Sequence, residues 1–227
     1  MKKRGIFITL EGIDGTGKST QMRLLVKHLR ARGFRVVMTR EPGGTKIGER
    51  IRAILLASRT GRLAPLAELA LIYAARAQHL EEVVRPALAR GDLVVSDRFN
   101  DASRAYQGHG RQLGEATVRA FDEIVCGEIQ PQLTLLLDLD PRVALARAQG
   151  REVRRKSAHS RFESQGFKFH QRVHAGYLAI ARREPRRVKV VDANRAIGEV
   201  QSEIRRIVDH FVSRARRSIR VSSRRRA

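Results

Sequence analysis

Eight consecutive residues near the start of the chain carry its clearest chemistry. Gly12-Ile13-Asp14-Gly15-Thr16-Gly17-Lys18-Ser19 has the spacing G-x-x-x-x-G-K-[ST]. Glycines so placed let backbone amides converge on phosphate oxygens, and a helix opening directly after them adds positive potential. Lys18 can reach the β- and γ-phosphates, and the Ser19 hydroxyl can ligate Mg2+. The stretch from Gly12 to Thr20 is therefore read as the cradle of a nucleoside triphosphate. A second pair, Asp97-Arg98, joins a carboxylate to a guanidinium. Asp97 can support Mg2+ or its waters while Arg98 clamps a phosphate, which suits transfer to an anionic acceptor. Taken alone, the pair reads better as an exposed ion pair. There is no N-K-x-D segment for guanine, and the apolar run before Asp97 does not end in the Asp-Glu of water-activating motor ATPases.

Both motifs need elements to hold them. Ile6-Phe7-Ile8-Thr9-Leu10 is a β-rich apolar run just before the glycines, and Met22, Leu25, Val26 and Leu29 recur at helical spacing after them, up to Gly33. Further strands are expected at Val36–Thr39, Leu93–Ser96, Leu133–Leu137 and Val188–Val191, with Glu41-Pro42-Gly43-Gly44 forcing a turn after the second strand. A long helical stretch runs from about Pro65 to Ala89 and a last one from about Ile197 to Val212. Continuous apolar strands separated by helices imply βαβ crossovers and burial on both faces. The expected fold is α/β: one three-layer P-loop NTPase domain over residues 1–213, with a five-stranded parallel sheet flanked by helices. Ligands of such sheets bind beyond the carboxyl ends of the strands, where both motifs fall. Gln149 to Ser160 is polar, basic and aperiodic, which suggests a mobile loop.

The 227 residues are 42% apolar and 30% charged, enough for a core, and no run approaches the roughly 18 apolar residues of a membrane span. Met1-Lys2-Lys3-Arg4 looks like the start of a signal peptide, but the apolar run behind it stops at Glu11, so no leader is expected. Cys126 is the single cysteine, which excludes an intrachain disulfide framework and points to a cytoplasmic protein. Net charge is +23, and 38 of the 46 cationic residues are arginine. Such a field attracts polyanions, whether nucleic acid, acidic lipid or small phosphates. Residues 214–227 hold seven arginines and no acid, and are expected to form a disordered basic tail because those charges repel.

Five ordered segments extend the reading. Glu11-Gly12-Ile13-Asp14-Gly15-Thr16-Gly17-Lys18-Ser19-Thr20 is followed by Thr39-Arg40-Glu41-Pro42-Gly43-Gly44-Thr45, Tyr73-Ala74-Ala75-Arg76, Asp97-Arg98-Phe99 and Ala105-Tyr106-Gln107-Gly108. On these residues the chain from about Ile6 to Val212 resembles the bacterial thymidylate kinases. The resemblance implies transfer of the γ-phosphoryl group of ATP to dTMP, with Mg2+, in dTTP biosynthesis. It also implies a cytoplasmic homodimer, with no specific nucleic-acid or membrane partner. Family positions carry over residue by residue. Asp14 would accept a hydrogen bond from the acceptor's 3′-hydroxyl, and Glu41-Pro42 would form a turn beside the acceptor, its peptide bond able to be cis. Arg52 and Arg98 would hold the 5′-phosphate, Arg76, Ser103 and Gln107 would read the thymine edge, and Tyr106 would sit where a 2′-hydroxyl would be. On their own, Arg52 also fits a solvated helix face, Pro-Gly-Gly a plain loop, and Tyr106 a half-buried aromatic.

Two departures from the family pattern stand out. Ile72 occupies a position where many relatives carry an aromatic that stacks on the base, so stacking is expected to be weaker. Gly15 stands where eukaryotic relatives have an arginine, and the bacterial pattern supplies that charge from a basic lid at about residues 147–161. Arg147, Arg151 and Arg161 fall near the matching positions, with Arg154, Arg155 and Lys156 in a stretch longer than usual. Together with Lys18, Asp97 and Arg98 they make up the implied catalytic set. Two other readings stay open: a kinase of this fold acting on another deoxynucleotide or a deoxynucleoside, and a nucleic-acid-associated ATPase suggested by the charge.

Overall fold

The structure, a computed structural model, describes residues 5–57, 63–155, 162 and 165–224, without the side chains of 151–155 and 216–224. Strands β1 (Ile6–Glu11), β2 (Val36–Arg40), β3 (Leu93–Asp97), β4 (Leu133–Asp138) and β5 (Val188–Asp192) form one sheet in the order β2-β3-β1-β4-β5. Every pairing is parallel, as the run-and-crossover pattern requires. Each strand ends one residue beyond its apolar run, on a charged side chain: Glu11, Arg40, Asp97, Asp138 and Asp192. An apolar pattern cannot see that last residue. It is also what charges the carboxyl edge of the sheet.

Helices α1 (Lys18–Ala31), α2 (Lys46–Leu56), α3 (Pro65–His79), α4 (Arg85–Ala89), α5 (Asn100–Ser103), α6 (Glu115–Val125), α7 (Pro141–Arg155), α8 (Phe167–Arg183) and α9 (Ile197–Arg224) connect and cover the strands. Successive strand residues point to opposite faces. Phe7 and Val94 accordingly join a core with Leu69 and Tyr73 of α3 and Val118 of α6. Ile8, Leu10 and Val95 join the larger core, with Leu25 of α1, Tyr177 of α8 and Ile204 of α9.

Three expectations about helices need adjustment. The stretch from Pro65 to Ala89 is helical throughout but passes through a wide π-turn at Leu80–Val84. Pro86 has no N–H to give to the carbonyl four residues back, so the ladder must widen there. The start of the aperiodic segment is helical as far as Arg155, because arginine, glutamine and glutamate form helices without any apolar period. The rest of that segment, residues 156–160, lies outside the described residues. Helix α9 continues past Val212, which is buried, to Arg224, so it runs into the stretch expected to be a basic tail. Among the described residues no helix is long and apolar enough to cross a membrane.

Candidate active site

β1 delivers the glycine loop to the middle of the carboxyl edge, between β3 and β4, the place where open parallel sheets bind ligands. Gly17 precedes α1 with φ 90°, and no side chain caps the helix. Its opening N–H groups thus have no side-chain acceptor and are available to an anion. Thr20 belongs to that first turn, its N–H donating to the Gly17 carbonyl. Within the loop, Thr16 Oγ1 donates to the Ile13 carbonyl at 2.9 Å. Gly15 lies so close to Ala144 of α7 that a Cβ would collide with the Ala144 backbone, so no side chain fits there. Lys18 Nζ donates to the carbonyls of Gly12 and Ile13 at 2.9 and 3.0 Å. Burial, with Arg98 adding and Asp14 opposing, pushes its pKa down to about 8.

Strand register gathers the remaining parts. Asp97 pairs with Leu10 on one side and Arg40 on the other, so Arg98, Glu41 and the glycine loop emerge together. Ser19 Oγ donates to Asp97 Oδ2 at 3.4 Å, while Asp97 Oδ1 is buried without a hydrogen-bond partner. A cavity of about 150 Å3 lies over Lys18, Ser19 and Asp97. A second one, of about 260 Å3, is lined by Ile72, Arg76, Ser103, Tyr106 and Gln107, among others. Asp14, Glu41, Arg52 and Arg98 line both.

Arg98 is the hinge of the arrangement. Its backbone is left-handed, with φ 72°, which a non-glycine residue holds only when its surroundings insist. Glu11 Oε1 accepts from the next amide, Phe99 N, at 2.7 Å, and Ser96 Oγ donates to the Arg98 carbonyl at 2.7 Å. The guanidinium is fixed as firmly: Nη1 to Tyr177 Oη at 3.0 Å, Nη2 to Asp14 Oδ1 at 2.8 Å and to Tyr106 Oη at 3.0 Å. Burial alone would raise the Asp14 carboxyl, but Arg98 and Lys18 outweigh it and hold the group well below the usual range. Glu11 goes the other way. Burial and the nearby Asp101 push it up to about 8, against the pull of Arg98 and Tyr177.

The far wall is equally organised. Arg52 Nη1 donates to the Pro42 carbonyl at 2.8 Å, across a Glu41-Pro42 peptide bond that is cis. Arg76 is 1% exposed; its Nε donates to Glu41 Oε2 at 2.7 Å and its Nη2 to Ser103 Oγ at 3.0 Å. Gln107 Nε2 donates to Glu68 Oε1 at 2.8 Å. Tyr106 and Gln107 sit on a π-turn at Arg104–Gly110, and Ile72 is buried in the wall from α3.

A sequence model of the thymidylate kinase family matches residues 10–204. The chain belongs to that family. It is 46% identical over 209 residues to the thymidylate kinase of Symbiobacterium thermophilum, covering 92% of this chain and 95% of that one. To the thymidylate kinase of Pseudomonas syringae pv. syringae it is 48% identical over 198 residues, 87% of this chain and 92% of the relative. The solved structure of thymidylate kinase from Ehrlichia chaffeensis superimposes with a TM-score of 0.73 at 30% identity, over 91% of this chain and 99% of that one. Fold and family therefore agree.

Of the expected residues, Gly15, Gly17, Lys18, Ser19 and Asp97 line the first cavity, Ile72, Arg76, Ser103, Tyr106 and Gln107 the second, and Asp14, Glu41, Arg52 and Arg98 both, whereas Arg147 stands apart. That guanidinium turns to the connection after β5, with Nη1 donating to the Ala193 carbonyl at 3.2 Å, and it lines neither cavity. Arg161 and the side chain of Arg151 lie outside the described residues. The structure adds residues that no motif marks. Tyr177, on α8, bonds both Arg98 and Glu11, although its helical spacing with Val173 and Ile180 reads only as core. Glu11 appears in a motif, but its role as a buried buttress is visible only in three dimensions. Cys126 is buried, and burial pushes its thiol up, so it is not a nucleophile.

Proposed function

We infer that this thymidylate kinase transfers the γ-phosphoryl group of ATP to the 5′-phosphate of dTMP, giving dTDP and ADP. The carrying observation is the shared wall. Asp14, Glu41, Arg52 and Arg98 belong to both cavities, so a triphosphate in the glycine loop and a monophosphate in the second cavity meet end to end beside Arg98.

In this reading Gly12 to Thr20 and Lys18 hold the donor, and Arg52 and Arg98 clamp the acceptor phosphate. Asp14 accepts from its 3′-hydroxyl. Arg76, Ser103 and Gln107 face the pyrimidine, Ile72 covers the base, and Tyr106 closes the space a 2′-hydroxyl would need. The oxygens that fit Mg2+ are Ser19 Oγ and Asp97 Oδ1, the latter buried and without a protein partner. Bound there, the ion would neutralise phosphate charge, with phosphate and water oxygens completing its shell. No general base is required, because the attacking phosphate oxygen is already ionised near neutral pH. Positioning and charge neutralisation carry the rate, with Arg151 and Arg161 as the remaining lid arginines that would add charge at the transferred group.

The same reading has the enzyme cytoplasmic and homodimeric; Ile47 and Ile54 of α2 and Leu66 of α3, each about half exposed, offer an apolar face for a second copy. The decisive test is an acceptor panel with coupled ADP detection. Turnover is expected to be fastest on dTMP. Equal or faster turnover on dUMP, dGMP or thymidine would overturn the assignment.

A further inference from the structure

Behind the acceptor cavity a buried polar chain leads from Arg76 and Glu41 to His79, a residue that the chemistry above does not use. Arg76 and His79 stand three residues apart on α3, hence on one face, and grip the two oxygens of a single carboxylate. Arg76 Nε lies 2.7 Å from Glu41 Oε2, and His79 Nδ1 lies 2.8 Å from Glu41 Oε1. Burial would raise the Glu41 carboxyl, but Arg76 and then His79 bring it below its ordinary value. An ionised carboxylate only accepts, so His79 Nδ1 carries a proton. The other ring nitrogen, Nε2, is 2.6 Å from Thr39 Oγ1 at the end of β2. His79 is 0% exposed and Glu41 3%. There is no slack around the ring: a Cβ on Gly44 would sit 2.7 Å from His79 Cδ2.

The consequence falls on Arg76. A long arginine side chain adopts one orientation only when its nitrogens are pinned. Here Nε is pinned by Glu41, and Nη2 by Ser103 Oγ and the Phe99 carbonyl at 3.0 and 3.1 Å. Nη1 is buried without a hydrogen-bond partner, with Asp122 Oδ1 4.0 Å away. His79 itself lines neither cavity.

We propose that His79 is a positioning residue for acceptor recognition: through Glu41 it sets the guanidinium of Arg76 in the cavity wall, and so controls dTMP binding without touching the nucleotide. This rests on the assignment of Arg76 to the acceptor's pyrimidine. Releasing Glu41 Oε1 lets the carboxylate turn and Arg76 leave its binding orientation, and affinity falls with the fraction of molecules still competent. The glycine loop is held by contacts of its own and Glu41 borders the donor cavity only at its wall, so ATP binding changes far less than dTMP binding.

Two substitutions divide the histidine's bonds. His79→Asn places an amide nitrogen near the position of Nδ1 and keeps a donor for Glu41. His79→Gln places one near Nε2, keeping Thr39 and losing Glu41. The expected result is a KM for dTMP raised roughly tenfold in His79→Gln and less than about threefold in His79→Asn, with the KM for ATP and kcat within about twofold in both. Equal effects of Asn and Gln, or ATP and dTMP constants rising together, would overturn the proposal. Should His79→Gln not fold, Glu41→Gln replaces it, because it weakens the same grip. Because Glu41 borders both cavities, it must raise the dTMP KM more than the ATP KM, and an unchanged dTMP value would also refute the role. Arg76→Met separates the two layers. If it leaves the dTMP KM at the wild-type value, the assignment of Arg76 fails; if it raises that KM while His79→Gln does not, only the role of His79 fails.

Discussion

The glycine loop takes its shape from eight consecutive residues, and most of what it offers a phosphate is backbone. The acceptor cavity is made of side chains drawn from the ends of β2 and β3, from α2 and α3 and from the π-turn at 104–110, so that Asp14 and Arg98, 84 positions apart, share one bond. The loop can be correct as soon as β1 and α1 pack. The cavity is correct only when these five separate stretches agree, and ion pairs such as the buried Arg76–Glu41 and the partly exposed Arg98–Asp14 enforce that agreement. Damage to the first region should therefore be confined to the donor, and damage to the second should spread.

Lys18→Ala gives the hardest test of that separation. Removing the ammonium takes away charge stabilisation at the transferred group, and kcat is expected to fall about a thousandfold. Calorimetric binding of dTMP to the same variant should stay within about threefold of wild type, because Lys18 does not line the acceptor cavity. Parallel loss of dTMP affinity would show that the two regions are one.

Arg98→Lys comes next and should do the reverse. The guanidinium bonds Tyr177, Asp14 and Tyr106 at once, a planar fork that an ammonium cannot reproduce. A fall of roughly a hundredfold in kcat/KM for dTMP is expected, accompanied by a smaller loss of ATP affinity because Arg98 lines both cavities. Steady-state kinetics with each substrate varied in turn would read both. An effect confined to ATP would place Arg98 on the donor side alone.

The same contrast explains what could be read from residues in order. The loop was legible because its physics is local: glycine at fixed spacing, a lysine, a hydroxyl, a strand before and a helix after. The five strands were legible as apolar runs, although each runs on to a charged residue such as Asp97 that the apolar pattern excludes. Arg52, Arg76 and Tyr106 could be placed only through ordered resemblance, since each has an ordinary structural reading of its own. Tyr177 and His79 carried no signal. A tyrosine on the apolar face of α8 and a histidine inside α3 look like core, and their partners lie 166 and 38 positions away. Arg147 shows the opposite failure: its charge and position fit a lid, but its guanidinium is engaged by the Ala193 carbonyl.

Glu11 lies where the two regions join, at the end of the strand that carries the loop, yet it bonds Phe99 N and Tyr177 Oη of the acceptor side. Its carboxyl binds its proton more tightly in the folded protein, with a pKa raised from 4.5 to about 8. The folded state thus gains stability from that proton below the unfolded value and loses it as pH rises through about 8. Glu11→Gln cannot ionise. The wild-type melting temperature should drop relative to the variant's between pH 5 and pH 9, by roughly 3 °C or more. Parallel melting curves across that range would mean that Glu11 is already ionised in the fold.

The smallest effect tests whether the acceptor side can be tuned one side chain at a time. Ile72 lies in the wall of the 260 Å3 cavity and is 7% exposed, so a larger side chain there grows into the space the base would fill. A phenylalanine would present a ring face, and an aromatic pair contributes about 0.5–1.5 kcal/mol beyond the area it buries. Against that stands overpacking in the larger core to which Ile72 belongs, which costs about 1–3 kcal/mol if the ring cannot turn into the cavity. The open side of Ile72 favours the first outcome. Ile72→Phe is expected to lower the KM for dTMP about threefold and leave that for ATP unchanged. A rise in the dTMP constant would mean that the wall has no room to give, and that recognition on this side is fixed by packing as rigidly as the loop is fixed by backbone.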